Sequence, residues 1–207
     1  MSYILHLPDK NKKLYKNLLQ ENYTLKFNKP DNIDIVVPIT PNQIEDSFLI
    51  KQLILNNYNF YNSIENNVQW LKYDKPIYIY QSLLMCNNEY SLILDGNDTV
   101  ILKDLDGIIE DLLKYDLDII FNAEIYTYKK LKKGCLNGGV CFGKTDKLLE
   151  FYRDVIYFLN EDLLNRKNIY PSEQKYLLKA LSKHKDRVTI DNKRRFFICY
   201  NYEFKGE

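Results

Sequence analysis

Two aspartates carry the first chemical suggestion in this chain. Asp95 and Asp98 bracket the turn Asp95-Gly96-Asn97-Asp98, which ends the apolar run Tyr90–Leu94. A run of that length reads as a strand, so both carboxylates sit on one tight turn at its carboxyl end. Hard oxygens in that arrangement suit Mg²⁺ or Mn²⁺, which complete their shells with water and substrate phosphates. An ion held there would neutralise a departing diphosphate. Asp and Asn are also ordinary turn formers after strands, so residue types alone leave both readings open.

The elements that must position this turn follow from the apolar periodicity. From Ile33 onward, short apolar runs alternate with helical patterns, the signature of βαβ units and a largely parallel sheet. Ile33–Ile39 reads as a strand, followed by a helical pattern through Ile44, Phe48, Ile50, Leu53 and Ile54 and a second after Pro76 through Tyr80, Leu83 and Leu84. After the aspartate turn, Asp104 is placed to cap a helix with Leu105, Ile108, Ile109, Leu112 and Leu113 on one face. Asp118–Asn122 and Gly138–Phe142 read as strands, the latter leading into a helix through Leu148, Leu149, Tyr152, Val155, Ile156 and Leu159. Pro171 and Ser172 open a last helix carrying Tyr176, Leu177, Ala180 and Leu181, and Val188–Ile190 and Phe196–Tyr200 close the chain as short strands. Residues 1–32 are more polar, with one short helical pattern through Leu14, Leu18 and Leu19, and read as a peripheral N-terminal segment. In open α/β sheets ligands bind in the crevice at the carboxyl ends of the strands, where this order puts Asp95 and Asp98.

Composition narrows the partners. With 29 basic and 28 acidic residues among 207, the formal charge is +1, so no global field draws nucleic acid or an anionic membrane. Any bound anion must be held locally. Asp9, Lys10, Lys12 and Lys13 exclude a secretory signal, and no apolar run reaches membrane-spanning length. Cys86, Cys135, Cys141 and Cys199 lack zinc-site spacing and read as reduced thiols of a cytoplasmic protein. The only histidines are His6 and His184; His184 lies in a Lys-rich helix end and reads as a solvated side chain.

Two families share features with the aspartate turn. Asp95-Gly96-Asn97-Asp98-Thr99 resembles the D-x-D-x-T nucleophile loop of haloacid-dehalogenase-like phosphatases, but Asn97 stands where that loop carries its general acid. A broader resemblance runs through five segments in order. They are Ser91-Leu92-Ile93-Leu94-Asp95-Gly96-Asn97-Asp98, Ile119-Ile120-Phe121-Asn122-Ala123-Glu124, Leu136-Asn137-Gly138-Gly139-Val140-Cys141-Phe142-Gly143, Ser172-Glu173-Gln174, and Ile190-Asp191 before Phe196-Phe197. Together, over roughly residues 33–200, these resemble the glycosyltransferase domain of the procollagen lysyl hydroxylases and its bacterial and viral relatives. The departures are Ser172, where the family's triplet begins with an acid, and the lack, up to Glu207, of the H-G-N-G-like segment whose His completes the family's metal site.

The resemblance implies an α/β fold of the GT-A (Rossmann-like) type, a mixed and mostly parallel sheet flanked by helices, spanning residues 33–207. It implies a metal-dependent glycosyltransferase, with Mn²⁺ or Mg²⁺ on Asp95 and Asp98 and a nucleotide-sugar, by resemblance a UDP-sugar, as donor to a hydroxyl acceptor. Asn137 matches the residue that hydrogen-bonds the donor sugar, and Gly138 and Gly139 let backbone approach it closely. Glu173 matches the carboxylate near the acceptor hydroxyl, a general base for an inverting reaction; as an acid at a helix start it is equally favoured by the helix dipole. Thr40 falls where such enzymes contact the nucleobase, and Trp70 and Lys75 match a Trp and a Lys between the family's first strands. Two alternatives remain open at this level: the phosphatase, and a non-catalytic binder of a nucleotide or partner. With only two protein ligands, the cation is expected to bind weakly until a nucleotide diphosphate adds oxygens.

Overall fold

A computed structural model describes residues 2–7, 17, 19–65, 74–128, 131–165 and 173–199, with backbone alone for 124–128 and 131–135. Leu14, Leu18, Trp70, Pro171, Ser172 and Tyr200 lie outside the described residues. In chain order the elements are β1 (Ile4–His6), β2 (Ile33–Val36), a 3-10 turn at Pro41–Gln43, α1 (Phe48–Leu55), α2 (Lys75–Leu83), β3 (Tyr90–Leu94) and β4 (Thr99–Ile101). There follow α3 (Ile108–Lys114), β5 (Ile119–Tyr128), β6 (Leu131–Lys144), α4 (Thr145–Leu164), α5 (Gln174–Lys183), β7 (Val188–Ile190) and β8 (Phe197–Cys199).

The chain is a mixed α/β protein, and its described residues form two sheets. The larger has the order β2-β3-β6-β5-β7 and the smaller β4-β1-β8. In the larger sheet β2, β3, β5 and β7 point one way and β6 the other. Side chains alternate across a strand, and the apolar ones divide accordingly. Ile33, Ile35, Leu92, Leu94, Ile120, Val140 and Phe142 enter a core shared with Leu49 and Leu53 of α1 and Ile108 and Leu112 of α3. Val36, Ile93, Ile119, Phe121 and Cys141 enter the opposite core with α2, α4 and α5. Burial on both faces is why these strands read as unbroken apolar runs.

Several expected elements differ in extent, each for a local reason. The helical pattern from Ile44 is interrupted at Ser47, whose Oγ accepts the Ile50 N–H and caps α1, leaving Ile54 exposed. Asp104 does not cap α3, which starts after Gly107 with no side-chain cap; its Oδ1 accepts the Asn28 N–H at 2.6 Å instead. The strand at 118–122 extends to Tyr128 because it pairs with β6 well past the apolar run. The opening residues are not peripheral. Residues 2–7 are buried, and β1 is the central strand of the smaller sheet, antiparallel to β4 and parallel to β8.

Among the described residues no helix is long and apolar enough to cross a membrane. Cys86, Cys141 and Cys199 are free thiols, and burial pushes Cys86 and Cys141 up to about 12, which leaves them unreactive.

One ion cluster ties three neighbouring strands. Asp118, just before β5, accepts from Lys144 Nζ at 3.0 Å at the end of β6 and from Arg187 Nε at 2.9 Å just before β7. Burial opposes the Asp118 charge, but these two cations outweigh it and hold the carboxyl below its ordinary value. A depressed folded-state pKa contributes stability above the unfolded pKa, and that stability is lost as pH falls through the folded one. Asp118→Asn should therefore lower the urea midpoint at pH 7, with the gap to the parent narrowing as pH falls below about 4. A gap that is constant with pH would show that the ion pairs contribute nothing.

Candidate functional site

The chain crosses from the larger sheet to the smaller through residues 95–98, so the aspartate turn lies where the two sheets meet. Three contacts hold it. The Asp95 N–H donates to the Gly139 carbonyl at 2.7 Å. Ser47 Oγ, besides capping α1, donates to the Gly96 carbonyl. Gln43 Oε1 accepts from Thr40 Oγ1 at 2.7 Å and from Asn97 Nδ2 at 3.1 Å. Gly96 is required here: a Cβ would stand 2.7 Å from Ile39 Cβ, a backbone-anchored atom that cannot swing away.

The register of the smaller sheet then brings in a residue that sequence reading did not assign. His6 pairs with Thr99 across β1 and β4, and the Leu7 N–H donates to the Asp98 carbonyl at 2.8 Å. His6 Nε2 comes to 3.3 Å from Asp98 Oδ1. His6, Asp95 and Asp98 can each offer a ligand atom, all within 4.8 Å of one another. The expectation that Asp95 and Asp98 are the only protein groups available to an ion is thereby corrected. His184, the other histidine, pairs with Asp154 at 2.9 Å, and Asp191 is occupied in accepting the Arg195, Phe196 and Phe197 N–H groups.

Lys75 is the fourth charge. It opens α2, is buried, and donates from Nζ to Asp95 Oδ2 at 2.8 Å. Burial opposes its charge, yet Asp95 and then Glu173 raise its pKa. Burial likewise opposes the Asp95 carboxylate, but Lys75 and His6 hold it below the ordinary value. Asp98 goes the other way, raised by burial and by Asp95. For His6, burial opposes protonation, while the Asp98 carboxylate outweighs it and pushes the imidazole up to about 10. Asp98 Oδ1 is buried and, though 3.3 Å from the ring nitrogen, has no aligned hydrogen-bond donor.

The segment Asn137-Gly138-Gly139 forms the adjoining wall. Between the pairs Phe121↔Cys141 and Asn122↔Asn137 the ladder shifts register, so residues 138–140 bulge from the β5 edge of β6. Asn137 Oδ1 accepts the Gly139 N–H at 2.8 Å and stabilises the bulge. Glu173, just before α5, brings Oε1 to 3.4 Å from where a Gly138 Cβ would lie. Lys75, Asp95, Asp98, Asn137, Gly138, Gly139 and Glu173 thus lie in one neighbourhood of the structure, and Thr40 reaches the turn through Gln43. Lys193, Arg194 and Arg195 are separated from it. They precede β8, at the end away from His6, and the Arg195 guanidinium lies 4.5 Å over the Tyr115 ring.

Sequence reading missed His6, Gln43 and Asn122. For His6 the signal was a histidine inside the apolar run Tyr3–Leu7, short but of strand character. For Gln43 and Asn122 no local signal exists.

No family model matches this chain, and no curated protein matches it either.

Gly139 tests the wall. A Cβ there would lie 2.5 Å from His6 Nε2 and 2.9 Å from Asn137 Oδ1. Gly139→Ala should displace the imidazole and weaken Mn²⁺ binding at least tenfold by calorimetry, with the far-UV spectrum unchanged. Parental Mn²⁺ affinity would mean that His6 Nε2 is not directed into the cluster.

Proposed function

We propose that this chain is a metal-dependent glycosyltransferase of the GT-A type that moves a sugar from a nucleotide-sugar, a UDP-sugar by preference, to a hydroxyl acceptor. The observation that carries the proposal is the His6, Asp95 and Asp98 cluster on the turn between two sheets, with a buried Asp98 oxygen lacking a hydrogen-bond donor. That oxygen faces the His6 ring at 3.3 Å without an aligned hydrogen bond, and a desolvated carboxylate met so incompletely favours a further cation. Imidazole beside two carboxylates favours Mn²⁺ over Mg²⁺.

The residues divide the work as follows. His6, Asp95 and Asp98 hold the ion, which when bound supplies positive charge against the leaving diphosphate. Lys75 fixes the Asp95 carboxylate through Oδ2 and keeps it ionised. The bulged glycines Gly138 and Gly139 let the donor sugar approach backbone, and Asn137 hydrogen-bonds it. Glu173, beside Gly138, takes the proton from the acceptor hydroxyl as the new glycosidic bond forms. Thr40, tied through Gln43 to the turn, lies on the nucleobase side. The phosphatase alternative has less support: Asn97, at the position its general acid would need, has its amide engaged by Gln43.

Calorimetric titration of the chain with Mn²⁺ and UDP tests this reading. Each ligand should raise the other's affinity by one common factor, a coupling of about 1–3 kcal/mol. His6→Ala, Asp95→Ala and Asp98→Ala should each abolish that coupling. UDP binding that is equally tight in chelator would overturn the metal assignment, and trapping a phosphorylated Asp95 would establish the phosphatase instead.

Glu173→Gln separates chemistry from binding. It should reduce sugar transfer by roughly 10²–10⁴-fold and leave Mn²⁺-dependent UDP binding unchanged. If the parent binds Mn²⁺–UDP yet neither transfers nor hydrolyses any sugar donor, the chain is a non-catalytic nucleotide binder.

A further inference from the structure

Asn122 is only 1% exposed and sits on β5 at the register shift, behind the face of His6 that looks away from the aspartates. Its Nδ2 lies 3.2 Å from His6 Nδ1, and its Oδ1 is buried with no partner. Leaving a buried carbonyl oxygen unsatisfied is unfavourable. In this orientation a protonated ring sets its Nδ1–H against the amide donor, and a neutral ring can accept that donor only with its own proton on Nε2, facing Asp98. That tautomer cannot ligate an ion through Nε2. A half-turn of the carboxamide exchanges its two groups. Oδ1 then accepts an Nδ1–H, and the Nε2 lone pair is released toward Asp95 and Asp98. A histidine that binds a metal through one nitrogen almost always donates its other N–H to such an acceptor.

We infer that Asn122 is the positioning residue of His6: its carboxamide oxygen accepts the Nδ1–H, selects the ligating tautomer and fixes the ring plane toward the aspartates. The inference rests on the metal reading above. The other group near Nδ1 is Cys199 Sγ at 3.9 Å, a weaker and more distant acceptor. A carboxamide also performs this task without adding a third carboxylate to a cluster that already buries two.

Two measurements on the full chain test the assignment. The first uses the parent protein labelled with ¹⁵N-histidine and loaded with Zn²⁺, a diamagnetic ion that accepts imidazole. With His6 and His184 the only histidines, the two rings are readily told apart. His6 should show a slowly exchanging proton on Nδ1 and none on Nε2; a loaded ring with Nδ1 unprotonated overturns the inference. The second is Mn²⁺ affinity by calorimetry. Asn122→Leu should weaken it about 10–100-fold and expose the Nδ1 proton to fast exchange. Asn122→Asp, which can accept but not donate, should bind Mn²⁺ at least as tightly as the parent. Cys199→Ala should bind as the parent does.

Parental affinity in Asn122→Leu, loss of affinity in Asn122→Asp, or loss in Cys199→Ala would each overturn the inference. Should Asn122→Leu fail to fold by near-ultraviolet dichroism, Asn122→Asp and the parent spectrum decide. His6→Ala is the control that keeps the two readings apart. If His6→Ala binds Mn²⁺ like the parent, the metal reading has failed; if it loses Mn²⁺ while Asn122→Leu does not, only the role of Asn122 has.

Discussion

Charge burial is the constraint around which the centre of this molecule is organised. His6, Lys75 and Asp98 are each less than a tenth exposed, and Asp95 is partly covered beside them. Moving any one of these ions alone out of water costs several kcal/mol. Together they are tolerable, because Lys75 meets Asp95 directly and His6 stands against Asp98. The pairing is uneven: Lys75 and Asp95 are mutually stabilised, while Asp98 is penalised by burial and by Asp95 and keeps an oxygen without an aligned donor. The residual tension is concentrated on the atom best placed to meet a cation.

The backbone around the cluster is built to hold that tension. The turn is fixed from three directions, by Ser47 at the start of α1, by Gln43 at the end of the 3-10 turn, and by the Gly139 carbonyl in the β6 bulge. Each tie comes from a different part of the chain, and glycine appears where another residue's side chain already fills the Cβ position, at Gly96 against Ile39 and at Gly139 against the His6 ring. A site formed this way is preorganised, since its carboxylates need not be gathered when a ligand arrives.

The extent of agreement between sequence and structure varies with sequence separation. β3, α4 and α5 follow their apolar patterns closely, because a strand with both faces covered and a helix with one buried stripe are local consequences of residue order. β4 and β1 were not recognised. Thr99–Ile101 is too short to stand out after a turn, and Ile4–His6 becomes a strand only because β4 and β8 flank it. The Asp104 cap failed for a related reason, since the Asn28 N–H, from a segment distant in sequence, competed for its carboxylate.

What residue order alone determined is the Asp95–Asp98 turn and its place after a buried strand, which depend on turn chemistry and apolar period acting over a few residues. Lys75, Asn137–Gly139 and Glu173 entered as candidates only through the family resemblance. The third member of the candidate cluster was decided by tertiary structure. His6 and Cys199 are 193 residues apart, near the two ends of the described chain, and they meet because β1 pairs with β8 on one side and with β4 on the other. Pairing of that kind is set by which buried surfaces fit together, a property of the whole fold that no local window of the sequence contains. The same holds for Asn122, which reads as one more residue at the end of an apolar run until β5 and β1 pack and set its carboxamide against the imidazole.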